Sequence, residues 1–66
     1  MNRFEIDQPY NLLTADVFKP VYHKNKVIRI IIHEWVEGDE NEVKMAFEKE
    51  EIEALINGLI SLKDEL

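Results

Sequence analysis

The sequence predicts an α+β domain: a three- to four-stranded antiparallel sheet, built as a meander of hairpins, with one C-terminal amphipathic helix packed on one face. Three observations predict it. The β-branched run Val27 to Val36 alternates as a strand should, the cluster Gly38-Asp39-Glu40-Asn41 reads as a turn into a second short strand, and from residue 48 onward apolar residues recur with helical spacing.

The elements follow in chain order. Phe4-Glu5-Ile6 reads as a short N-terminal strand ended by Pro9, and residues 8–16 as a connection anchored by Tyr10, Leu12 and Leu13. The chain therefore divides into an N-terminal segment 1–16, a sheet 17–47 and a helix 48–66, in one domain. Val17–His23 is the next expected strand. A two-residue turn at Lys24-Asn25 would pair Val21 with Ile28, Val17 with Ile32, Tyr22 with Val27 and Phe18 with Ile31. Pro20 cannot donate to a ladder, which makes this an edge strand or a bulged one.

In the central strand Ile28, Ile30, Ile32 and Val36 share one face, and Arg29, Ile31, His33 and Trp35 the other. The strand Glu42 to Phe47 brings Val43, Met45 and Phe47 together. Pairing Val36 with Val43, Trp35 with Lys44 and Ile32 with Phe47 puts the apolar positions on a common face, with Glu34 opposite Met45 as the exception. In the helix, Ile52, Leu55, Ile56, Leu59, Ile60, Leu62 and Leu66 cover an arc of about 160° at 100° per residue. Glu48, Glu50 and Glu51 at its start and Lys63 near its end suit the helix dipole. No Ser, Thr, Asp or Asn sits at the expected N-cap. Gly58 lies at the edge of the stripe, where a glycine suggests a close approach.

Composition narrows the function classes. The 66 residues include no cysteine and two histidines, His23 and His33, which excludes disulfides and thiolate chemistry and argues against a structural zinc site. A domain this short extracts only about 3–5 kcal/mol from a single core, so a homo-oligomer or a partner is expected to supply the rest. The apolar stretches are too short to span a bilayer. The last four residues, Lys63-Asp64-Glu65-Leu66, spell the endoplasmic-reticulum retention address, but residues 1–20 lack the basic start and apolar centre of a secretory signal. A cytoplasmic location without membrane association is the expectation. No Gly-rich phosphate loop is present, Ser61 has no triad partner, and His33 and Glu34 point to opposite faces of a strand; neither an enzyme nor a cofactor site is expected.

Two surfaces remain as candidate sites. One helix covers one face of the sheet, leaving Phe18, Tyr22, Arg29, Ile31, His33 and Trp35 on the other, as a homodimer seam, a partner surface, a base-stacking platform or a face closed over by Tyr10, Leu12 and Leu13. The second surface is acidic. Residues 1–29 hold five basic against three acidic residues, whereas residues 30–66 hold three against eleven. Glu37, Asp39, Glu40 and Glu42 in the hairpin and Glu48, Glu50 and Glu51 at the helix start form an array that could dock on a basic groove, as inhibitors that imitate a phosphate backbone do. The first expectation is thus a non-enzymatic protein-binding module, an inhibitor of a nucleic-acid-handling protein of the kind that phages, other mobile elements or bacteria encode as small accessory proteins. The alternatives are a nucleic-acid binder using the aromatic and basic face beside the Lys24 turn, which the net charge of −6 opposes, and a structural homodimer.

Overall fold

The computed structural model describes residues 2–66, which form four strands and a helix in the order β1 (Arg3–Gln8), β2 (Asn11–Phe18), β3 (Val27–Val36), β4 (Asp39–Phe47) and α1 (Lys49–Lys63). The strands make one antiparallel meander, β1-β2-β3-β4, with every neighbour in sequence also a neighbour in the sheet. The α+β architecture expected from the hydrophobic pattern is the one observed. Its sheet begins at residue 3 rather than residue 17.

Residues 11–16, expected within a connection, belong to a strand that runs on to Phe18. Their alternation explains why: Leu13, Ala15 and Val17 point one way, Thr14 and Asp16 the other. The strand stops at Phe18 because Pro20 has no N–H to give. His23 N–H then donates to the Pro20 carbonyl at 3.2 Å and closes a turn outside the sheet. The expected Val17–His23 strand and its Lys24-Asn25 hairpin are therefore corrected. Val17 pairs with Ile28 and Phe18 with Val27, and residues 19–26 form the connecting loop.

The β3–β4 register is corrected in the same sense. Val36 pairs with Asp39, Ile32 with Val43 and Ile28 with Phe47, while Glu34 lies opposite Asn41 rather than Met45. The turn decides this. Glu37 and Gly38 both take positive φ, 51° and 85°, the left-handed pair that a two-residue hairpin requires. A four-residue turn over 38–41 would have slid the strands past each other. Both slips are of even length, so the faces are as expected even where the partners are not.

On one face the register builds three apolar rows across the sheet, Phe4-Ala15-Ile30-Met45, Ile6-Leu13-Ile32-Val43 and Val17-Ile28-Phe47, followed by the polar row Gln8-Asn11-Glu34-Asn41. The helix meets this face only at its start. Ile52 shares a shallow cleft with Val17, Ile28 and Phe47, and Ile52 and Leu55 are its half-buried residues; beyond them the stripe is exposed, as are Val43 and Met45. The helix N-cap is Glu48, whose backbone N–H donates to the Glu51 carboxylate at 2.9 Å, so glutamate does at both ends of the box what a hydroxyl usually does at one. Among the described residues only Thr14, Ala15 and Val27 are buried.

The two glycines predict opposite responses. Beyond its adjacent residues and, for Gly58, its own helical turns, neither has an atom within 4 Å of the place a Cβ would occupy, so the close approach expected at Gly58 is not made within the chain. Gly38→Ala is expected to cost about 1–2 kcal/mol, purely from its left-handed backbone, whereas Gly58→Ala, in a helix interior, is expected to gain about 1 kcal/mol. Thermal melts of both variants check this; equal shifts would mean that the Glu37-Gly38 turn is not left-handed.

Candidate functional site

The other face of the sheet carries chemistry in cross-strand rows. Antiparallel pairing sets Arg3 beside Asp16 and Asp16 beside Arg29, then Glu5 beside Thr14, Ile31 and Lys44, then Asp7 beside Leu12, His33 and Glu42, with Trp35 opposite Glu40. Opposite charges one strand apart lie within reach of each other, and Asp16 with Arg29 and Glu42 with His33 pair in this way.

The Arg29 guanidinium grips the Asp16 carboxylate with both arms, Nε to Oδ1 at 3.1 Å and Nη2 to Oδ2 at 2.6 Å, and its carbon stands 4.5 Å from the centre of the Phe18 ring. The two bonds from Arg29 hold Asp16 below its usual carboxylate range and raise Arg29 in turn. Arg3 bonds Glu5 at 2.8 Å. Farther along, the His33 and Trp35 rings stack with centroids 5.9 Å apart and planes 16° from parallel. His33 Nδ1 lies 3.0 Å from Glu40 Oε1, which in the Nδ1–H form makes it the donor, and 3.5 Å from Glu42 Oε2. The remaining oxygen of Glu42 accepts from Lys44 Nζ at 3.0 Å, the bond that chiefly lowers the Glu42 pKa.

Phe18, Arg29, Ile31, His33 and Trp35 thus share the face expected for them. Tyr22 does not: it lies in the 19–26 loop, 99% exposed, beside Val21, because the strand that was to carry it ends at Phe18. Tyr10, Leu12 and Leu13 do not close over the face either. Leu12 and Leu13 are rungs of β2 on opposite faces, and Tyr10 sits in the β1–β2 turn, where its carbonyl accepts from the Trp35 N–H at 3.1 Å.

Of the acidic array, Glu40 and Glu42 reach His33, while Glu37 and Asp39 flank the hairpin tip and are exposed. Glu48, Glu50 and Glu51 belong to the helix start, and Glu51 is engaged in capping. Sequence reasoning missed the roles of Asp16 and Lys44, although the alternation of residues 11–18 and the one-row spacing of Lys44 from Glu42 were the signals available. His33, Glu40 and Glu42 offer three donor atoms within 4.8 Å of one another, a geometry that could hold a divalent ion only by giving up the His33–Glu40 bond. No protein-family model, curated protein or solved structure matches the chain.

Because the pKa values of Asp16 and Glu42 are lowered in the folded chain, the stability they contribute is complete above their ordinary values of 3.8 and 4.5 and is lost as pH falls through the lowered ones. The melting temperature is expected to hold from neutrality to about pH 5 and to fall below it. In Asp16→Asn it should start lower at pH 7 and fall less steeply in acid. An acid limb identical to wild type would show that the Arg29 fork adds nothing.

Proposed function

We propose that the chain is a non-enzymatic protein-binding module whose contact surface is the His33–Trp35 stack with its acidic rim of Glu40 and Glu42, extended at the hairpin tip by Glu37; Asp39, paired with Val36, falls on the other face. The observation that carries this reading is the pairing of the bases on that face. Arg3, Arg29 and Lys44 each hold a carboxylate, and His33 faces two. A surface meant to bind phosphates leaves its cations unpaired, and here the cations are already answered while Glu37, at the hairpin tip, is not engaged in any ion pair among the described residues. Trp35, 42% exposed, offers an aromatic surface beside that rim. An arginine or lysine from a partner can lie over the indole while its charge meets Glu40, a combination that a basic groove, such as one that holds a nucleic-acid backbone, supplies repeatedly. Inhibition of a nucleic-acid-handling protein follows naturally from such docking.

Trp35 is the chain's one tryptophan, so its fluorescence reports on this surface directly. Titration with an arginine-rich peptide is expected to shift its emission, with binding weakened about tenfold or more between low and physiological salt and lost in Glu40→Lys/Glu42→Lys. Quenching by a random single-stranded oligonucleotide, with no response to the peptide, would overturn the reading in favour of nucleic-acid binding through the face and the Lys24 loop.

A further inference from the structure

The apolar face of the sheet and the apolar stripe of the helix are both left open by the chain itself. Ile32, Val43 and Met45 are exposed on one, and Ile56, Leu59 and Ile60 on the other. The quantity of open surface is abnormal for a chain of this size. A folded 7.8 kDa monomer exposes about 4,400 Å²; this chain exposes 5962 Å². Its radius of gyration is 13.9 Å, against about 11 Å for a compact fold of this length. The surplus, roughly 1,600 Å², is about twice what one partner buries in a standard interface and falls in the range of obligate dimers.

We infer that a second copy of the chain covers this surface, so that the apolar sheet face and the helix stripe together form the seam of a symmetric homodimer. A second copy fits better than an unrelated protein for three reasons. Two unsatisfied apolar surfaces on one chain are answered together by a two-fold axis, since each copy brings both a face and a stripe. The three apolar rows contain no charged residue, so two chains of net charge −6 can meet there without setting like charges against each other. The helix begins on the apolar side of the sheet, where Ile52 shares a cleft with Val17, Ile28 and Phe47, so the stripe and the face adjoin at that cleft. The seam is thus opposite to the Trp35 face, which stays outward in each copy. A dimer would present two such faces, and the inference holds whether or not they bind a basic partner.

Sedimentation equilibrium from low to high micromolar concentration, read beside thermal melts, tests it. The expected result is a mass twice that of the chain and a melting temperature that rises with concentration, because unfolding is coupled to dissociation. Leu59→Asp should lose the dimer mass, whether it leaves a folded monomer or an unfolded one, while Trp35→Ala should keep it. Val43→Asp, on the sheet, should act as Leu59→Asp does. A wild-type monomer would overturn the inference: if folded, the surface needs no cover, and if unfolded, it belongs to a different protein. Dissociation by Trp35→Ala but not by Leu59→Asp or Val43→Asp would move the seam to the opposite face and overturn it equally.

Discussion

The constraint on which the rest of the structure depends is the mismatch between a four-stranded sheet and the single helix available to cover it. Three apolar rows cross the sheet, and the helix that should lie over them meets only their end, where Ile52 shares a cleft with Ile28 and Phe47. A two-layer domain normally buries the apolar side of each element against the other. Here the layers are hinged at one end and open at the rest. The few buried residues, Thr14, Ala15 and Val27, are too small to hold a fold of this size by their own packing. On the inferred account, folding and association are a single event, and the isolated chain is half of a core.

That division of labour frees the opposite face. Polar and charged residues there answer each other, Asp16 with Arg29 and His33 with Glu40 and Glu42 across strands and Lys44 with Glu42 along β4, so the face holds its geometry through local bonds and needs no cover. Exposed pairs of this kind contribute little to stability. Their effect is to set orientation and charge: the Arg29 fork fixes the Phe18 ring, the stack fixes His33 beside Trp35, and the acidic rim gives the surface its sign. On the inferred account the two faces of one sheet carry different tasks, association on the apolar side and recognition on the other.

How much of this was legible in the sequence follows from what a period-two pattern encodes. It reports the face and not the partner. The assignments of Ile28, Ile30, Ile32 and Val36 to one side and of Arg29, Ile31, His33 and Trp35 to the other hold in the structure, while both hairpin registers differ by four residues. Turn geometry chose those registers, through positive φ at Glu37, which composition does not favour, and through the loop that follows Pro20. The first part of β2, residues 11–16, is visible in its alternation, but its polar residues Asn11, Thr14 and Asp16 give it the composition of a connection. Tyr22 was assigned with the strand that Pro20 ends. The helix and its phase were legible from spacing alone. Its departure from the sheet was not, since an amphipathic stripe states that a helix is covered without stating by which chain.

The central claim is that the helix stripe finds its cover outside its own chain. Isotope-filtered nuclear Overhauser spectroscopy on a refolded mixture of labelled and unlabelled protein measures this directly, because only contacts between chains survive the filter. Cross-peaks from the methyl groups of Leu59, Ile60 and Leu62 to those of the other chain are the result the account predicts. Intermolecular peaks confined to Ile31 and Trp35, or none at all from a folded protein, would contradict it.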